Sequence, residues 1–371
     1  MADGILLLAT LLFAIGGLGE HHMKYHVEKR QSGSRDTPLL IANWCDNDIH
    51  PGLLTQGGDG PPETGFHLSP GSNQTVYVAS DWQGRIWGRT NCSFDDSGQA
   101  QGGSTACSTG DCGGALACEI AGASPATLAE FTLSGSQSQA FYDISLVDGY
   151  NLPMAIVMVP NGNSQLEDIP GSQTNPSCVG SVGDLAAQNF NPYSGGQQFL
   201  GTDSQSPLPF EIKNDASTVA QWCPWDLQVD TPKGPGDGVY SYPDDDVKRP
   251  PFNPCLSACA KYNKDDYCCT GSYDGSGKCY SNYYSKSAKS VCPDAYSFAY
   301  DDQDSTFIVP EGGAFQIIFC PGGRSTNIIA LKNGQSSGSS SSGSGTNLGI
   351  GRLVIDGRVR RRLLLFSLLV T

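Results

Sequence analysis

Fourteen cysteines, all of them at or beyond position 45, limit what this 371-residue chain can fold into more than any other feature. They are Cys45, Cys92, Cys107, Cys112, Cys118, Cys178, Cys223, Cys255, Cys259, Cys268, Cys269, Cys279, Cys292 and Cys320. An even number, with none near the N-terminus, is what a complete set of disulfides made in an oxidising compartment requires. Zinc is the rival reading, because Cys255 and Cys259, or Cys268, Cys269 and Cys279, sit close enough to share a metal. Imidazole is scarce, however: His21, His22 and His26 lie in the N-terminal leader, which leaves His50 and His67. Both stand in Pro- and Gly-rich stretches that read as turns, and no thiol is left over, so Ser/His/Asp and Cys/His hydrolysis are disfavoured. No metal and no cofactor is expected.

The leader fits secretion. Residues 1–19 hold an apolar run, Ile5 to Ile15, of signal-peptide length, although Ala2 and Asp3 stand where basic residues are usual. A buried N-terminal helix is the alternative. Residues 20–30 read as a propeptide closed by the dibasic pair Lys29-Arg30. At the other end, residues 333–347 form a Ser/Gly linker, and 348–371 a basic-apolar tail. That tail loosely matches a lipid-anchor signal, the one route to membrane association, and matches a functionless tail equally well.

Of the 22 Lys and Arg and 37 Asp and Glu, the leader holds three of each and the tail five basic against one acidic. The body keeps 14 basic and 33 acidic residues, a net of about −19, which repels nucleic acid and anionic membranes. Neutral carbohydrate or cationic partners suit it better.

Between turns rich in Gly, Pro and Asp run short apolar or β-branched stretches: 39–44, 75–78, 85–87, 131–133, 140–146, 154–159, 306–309 and 315–319. Several alternate with period two, as half-buried strands do, which predicts a mainly β chain folded as an antiparallel β-sandwich. Residues 178–292 read differently. There turn residues and cysteines crowd together, a short helix is predicted over 280–291, and disulfides take the place of a core. Within this subdomain, 179–222 reads as a surface insertion.

Five blocks then carry a resemblance: Gly84-Arg85-Ile86-Trp87-Gly88-Arg89-Thr90-Asn91-Cys92, Cys107 to Gly114, Thr127 to Phe131, Phe141 to Asn151, and Tyr267-Cys268-Cys269-Thr270-Gly271. With Cys292-Pro293-Asp294-Ala295-Tyr296-Ser297 and Ile317 to Pro321 they resemble, in order, the thaumatin and osmotin family across roughly 38–322. The resemblance implies a flattened β-sandwich, a disulfide-rich loop domain and a hairpin lobe within a thaumatin-like domain at 31–322. It also implies the pairs Cys45–Cys320, Cys92–Cys107, Cys112–Cys118, Cys178–Cys292, Cys223–Cys255, Cys259–Cys268 and Cys269–Cys279. This is one bridge fewer than the commoner plant pattern, and the interval from Cys178 to Cys223 is unusually long.

Carried over residue by residue, the family's acidic cleft implies Arg85, Glu130, Asp143, Asp148 and one of Asp301 and Asp302. Glycosidic hydrolysis needs one carboxyl kept protonated and another ionised, and clustered carboxylates drive their pKa values apart. Glu130 is expected as the acid, with Asp143 or Asp148 as its partner, and Arg85 with Asp301 or Asp302 as substrate contacts. The same acids could equally hold Arg85 and bind sugar without cleaving it. The resemblance thus implies a secreted, monomeric protein that binds β-1,3-glucan or other cell-wall polysaccharide, in wall remodelling or antifungal defence. Weak endo-β-1,3-glucanase activity is its enzymatic extension. A non-enzymatic defence protein acting on membranes or receptors is the alternative, and protease inhibition has family precedent but no residue to carry it. Asn73 and Asn91 fit the N-glycosylation pattern; Trp82 and Trp87 could stack on sugars, but Trp87 stands in a predicted strand and reads as core, and neither is counted as a site.

Overall fold

The computed structural model describes residues 35–179, 223–229, 254–321 and 325–332. The leader at 1–19 and 20–30, nearly all of the 179–222 insertion, the 333–347 linker and the 348–371 tail lie outside the described residues.

Ten strands form two five-stranded sheets. One runs in the order β3 (Asn73–Val78), β1 (Thr37–Asn43), β10 (Ala314–Phe319), β7 (Met154–Val159) and β8 (Ser177–Cys178). The other runs β2 (Ile49–Gly57), β4 (Gln83–Thr90), β5 (Leu128–Thr132), β6 (Gln139–Ser145) and β9 (Phe307–Pro310). Their facing sides bury Leu39, Ile41, Leu53, Val76, Ile86, Phe131, Tyr142, Ile156, Phe315 and Ile317 in one core. At its centre the Phe131 and Phe315 rings lie 5.1 Å apart, and Tyr142 stacks on Phe307 at 5.6 Å. Aromatic side chains of this size bring the largest apolar burial, and the offset and tilted contacts add to it. The chain is therefore mainly β and sandwich-like, as its alternating stretches predict.

Two details depart from the sequence reading. All pairings are antiparallel except β1 with β10, which run parallel from Leu39↔Phe315 to Asn43↔Phe319. His50, expected in a turn with Pro51 and Gly52, instead lies within β2. A proline is admissible there because β2 is the last strand of its sheet and Pro51 turns its backbone away from β4, its carbonyl accepting from the Phe66 N–H of the segment that bridges the outer side. His67 does lie outside the strands.

Seven disulfides join Cys45–Cys320, Cys92–Cys107, Cys112–Cys118, Cys178–Cys292, Cys223–Cys255, Cys259–Cys268 and Cys269–Cys279. This pairing matches the set the resemblance implies. Four of the bridges hold the 178–292 region, where the regular elements are short: helices at Ala258–Tyr262, Asp265–Cys268 and Tyr283–Val291. The last begins three residues later than its sequence suggests. Asn282 is its N-cap, the side chain accepting from the Ser285 N–H, and this caps the helix before Tyr280 is reached.

Candidate functional site

Strand β4 is buried on both faces. Ile86 points into the sandwich core, and on the opposite face Arg85, Trp87 and Arg89 follow one another with the two-residue period of a strand. The hairpin lobe at 91–126 covers the far end of that face. Trp87 packs there with Cys112, Cys118 and Leu128 and donates to the Gly110 carbonyl at 2.8 Å. Arg89, fully buried, donates to the carbonyls of His50, Pro51, Ala115 and Leu116, so its charge is spent on structure. Arg85 remains for the site.

Register places the site. Arg85 on β4 stands opposite Glu130 on β5, and Glu130 stands opposite Asp143 on β6, so three charged side chains form one row across three neighbouring strands. In such ladders facing Cβ atoms lie about 4.5–5.5 Å apart, close enough for every pair to interact. Arg85 Nε lies 3.6 Å from Glu130 Oε1. Asp148 follows β6 in the turn that closes with the Gly149 N–H donating to the Leu146 carbonyl, and it is half-buried.

Burial grades the row. Asp143 is 0% exposed, Arg85 3%, and Glu130 13%. Among the described residues neither carboxyl oxygen of Asp143 meets a hydrogen-bond partner. Desolvation, then the charges of Glu130 and Asp302, push its pKa well above the usual carboxylate range, against the pull of Arg85. Glu130 is pushed up by burial too, offset by Arg85 and by a hydrogen bond with Ser145. Asp148 rises to about 7, again first through burial, with Arg85 opposing and Glu130 reinforcing the shift. The three acids and one guanidinium form a cluster in which protons are held at pH values where exposed carboxylates have lost them.

Asp301 and Asp302 take different parts. Asp301 Oδ2 accepts from the Ser297 N–H at 3.1 Å and the Ser297 hydroxyl at 2.8 Å, and pairs with Lys289 Nζ at 3.1 Å. It is thereby tied to its own loop. Asp302 is exposed, accepts from the Tyr296 hydroxyl at 2.8 Å, and is the member of the pair whose charge bears on Asp143. Tyr296 and Lys289 escaped the sequence reading as site residues. The signal for Tyr296 was present, since it lies in the Cys292 to Ser297 block; that for Lys289 was a lone helical lysine, without distinction.

The other singled-out residues lie apart. Trp82 and Trp87 are both 0% exposed and belong to the interior. Asn73 begins the edge strand β3 and is exposed; Asn91 is exposed as well, but its amide already donates to the Ser108 hydroxyl, beside Cys92 in its bridge to Cys107. A separate concavity of about 810 Å³, lined in part by Glu63, Gln99, Leu116 and Ile120, contains none of the acids of the row. Among the described residues no three His, Cys, Asp or Glu side chains are grouped to hold a metal ion, and no helix is long and apolar enough to cross a membrane.

The model of the thaumatin family matches residues 43–321, which takes in strands β2 to β10, the acidic row and all seven bridges. The chain belongs to the thaumatin family. Among its relatives, thaumatin-like protein 1 of Pyrus pyrifolia is 36% identical over 294 residues, covering 78% of this chain and 93% of its own. Pathogenesis-related protein 5 of Arabidopsis thaliana is 34% identical over 285 residues, covering 77% and 90% respectively. A solved thaumatin-like xylanase inhibitor matches at 33% identity over 33% of this chain and 76% of its own, but at a TM-score of 0.27 it shares too little global shape to carry function across. In this thaumatin-family chain the acidic row, and not the separate concavity beside Glu63 and Gln99, is where charge, burial and register converge.

Proposed function

We propose that this thaumatin-family protein is secreted and uses the acidic row to bind a neutral cell-wall polysaccharide, β-1,3-glucan, in a defence or wall-remodelling role. The observation that carries this reading is the Arg85–Glu130–Asp143 alignment across three strands, with Asp148 at its end, in an otherwise strongly acidic body. Carboxyl groups that keep their protons donate hydrogen bonds to sugar oxygens and, when ionised, accept from sugar hydroxyls, so a neutral polyol suits the row in either state. A polyanion does not. The name pathogenesis-related protein 5, borne by a relative, agrees with a defensive role, and seven disulfides suit an oxidising, extracellular setting.

Binding is favoured over efficient hydrolysis on geometric grounds. A general acid must come within hydrogen-bond reach of the glycosidic oxygen, and Asp143, the best-protonated member, is wholly enclosed. Glu130 and Asp148 are the groups a sugar can reach. Any slow cleavage therefore runs through Glu130 as acid with Asp148 as its partner, while Asp143 holds a proton behind them. The purified protein is to be incubated with insoluble β-1,3-glucan, beside Glu130→Gln, and both the retained fraction and the released reducing ends measured. Retention by the wild type, cut at least about tenfold in Glu130→Gln, is expected. Complete lack of retention by the wild type sinks the proposal.

A further inference from the structure

Lys289 lies near the C-terminal end of the helix Tyr283–Val291, whose following residue Cys292 is bridged to Cys178. Its ammonium donates to the Ala295 carbonyl at 3.1 Å, the Asp304 carbonyl at 2.9 Å and the Ser305 hydroxyl at 2.7 Å, and pairs with Asp301 Oδ2 at 3.1 Å. All four partners belong to the 295–305 loop. A lysine ammonium has three protons to give, so its donor capacity is fully committed to one stretch of chain. An exposed ion pair contributes little to stability, but a three-quarters-buried ammonium that gathers two carbonyls, a hydroxyl and a carboxylate is a cross-link between helix and loop.

The same loop leads to the acidic row. The backbone of Tyr296 joins β6 by accepting from the Leu146 N–H and donating to the Ile144 carbonyl, both at 2.8 Å, and Ile144 is the residue after Asp143. The Tyr296 hydroxyl meets Thr306 Oγ1 at 2.6 Å and donates to Asp302, which faces Asp143 electrostatically. Lys289 thus grips the loop near both of its ends, at Ala295 and at Asp301, Asp304 and Ser305, and Tyr296 and Asp302 each directly follow a gripped residue.

We propose that Lys289 is the positioning residue of this site: it fastens the 295–305 loop to the helix and so sets where Tyr296 and Asp302 stand relative to Asp143, Glu130 and Arg85. The ligand is taken from the glucan-binding reading, whereas the positioning role rests on the contacts of the ammonium alone. With Lys289 removed, Asp301 keeps only Ser297 and the loop loses its hold on the helix. Asp302 then moves away from Asp143, and water reaches the carboxyl that is buried in the wild type. Both changes remove influences that hold the proton on Asp143, whose charged or titratable neighbours are Glu130 and Arg85 on the strands and Asp302 and Tyr296 on the loop.

The test uses the full secreted protein with Lys289→Met, Lys289→Arg and Asp301→Asn, and has two readouts: carbon-13 carboxyl NMR titration of Asp143, and retention on insoluble β-1,3-glucan. Lys289→Met is expected to move the Asp143 midpoint to lower pH and to weaken retention at least about tenfold. Lys289→Arg, which keeps the charge, restores most of both. Asp301→Asn removes the ion pair at nearly constant shape and shifts the midpoint in the same direction by less, so the test does not depend on Lys289→Met folding. Wild-type titration of Asp143 in both Lys289→Met and Asp301→Asn, or in Asp301→Asn alone should Lys289→Met not fold, overturns the role of Lys289. A wild-type protein that titrates as described yet ignores glucan removes the ligand and leaves the positioning role standing.

Discussion

The sandwich and the 178–292 region solve the same problem of stability by opposite means. In the sandwich, β10 is buried along its whole length and aromatic rings pack between the sheets, while one disulfide, Cys45–Cys320, closes just beyond the paired ends of β1 and β10 and another, Cys178–Cys292, leaves the edge strand β8. In the other region the helices Ala258–Tyr262 and Asp265–Cys268 span 5 and 4 residues, too short to bury a face, and bridges such as Cys259–Cys268 and Cys269–Cys279 follow at separations of 9 and 10. Helices of one turn are not stable by themselves in water. Covalent links stand where side-chain packing is thin, and the acidic row takes its strands from the first region and its neighbouring loop, 295–305, from the chain that follows the second.

The largest expected effect tests whether the sandwich depends on its longest bridge as well as on its core. Cys45 and Cys320 are 275 residues apart, and the chain-entropy model assigns so long a closure about 5–6 kcal/mol of stabilisation through the unfolded state. Cys45→Ala with Cys320→Ala should lower the unfolding free energy by about that amount in denaturant titration. A loss below about 1 kcal/mol would mean that the unfolded chain, with its other six bridges, is already restricted enough for this closure to add little.

Next comes the core itself. Phe131 is 1% exposed and touches Trp82, Tyr142 and Phe315. Phe131→Ala should cost about 3–5 kcal/mol through lost burial and an unfilled cavity. It should also disturb the site, because Phe131 follows Glu130 on β5 and pairs with Gly84, the neighbour of Arg85. A stable variant with unchanged Asp143 titration would uncouple the row from the core beneath it.

At the seam between the two regions the effect is set by pH. The folded-state pKa of Asp148, about 7, stands above its ordinary 3.8, so the folded chain holds this proton more tightly than the unfolded chain does. Its contribution to stability is therefore complete below about pH 4, declines as pH rises to about 7, and is constant above that. Asp148→Asn cannot ionise. Calorimetry should find its Tm above that of the wild type at pH 7.5 and the difference gone below pH 4. Equal separation at both pH values would show that Asp148 titrates in the folded chain as it does in the unfolded one.

Much of this was legible in the chain and some of it was not, for physical reasons. Strands β1, β6, β7 and β10 announce themselves because each buries apolar residues between clear turn signals. β2 hides, since His50-Pro51-Gly52 carries turn chemistry that only an edge position tolerates, and β8 has just two residues, too few for any period. The parallel partnership of β1 and β10 is a long-range event that no local pattern encodes. Within the row, Arg85, Glu130 and Asp143 follow from the family blocks. The choice between Asp301 and Asp302 does not, because it turns on where Lys289, a dozen residues upstream, places its ammonium.

The smallest prediction sharpens the opening contrast most. Asn282 caps the helix Tyr283–Val291 through the Ser285 N–H at 3.0 Å, and Asn282→Ala removes an N-cap contribution of about 1 kcal/mol. In a region held by its core, that loss would appear in full in global unfolding. Here the Cys178–Cys292 bridge pins the far end of the helix, and Lys289 ties it to the 295–305 loop, so fraying should stay within the first turn. Amide exchange is expected to quicken at 285–287 while Cys292 N–H, donating to Ala288, keeps its protection. Loss of protection along the whole helix would mean that the bridge holds the chain without holding its conformation, and that the loop over the acidic row depends on the cap after all.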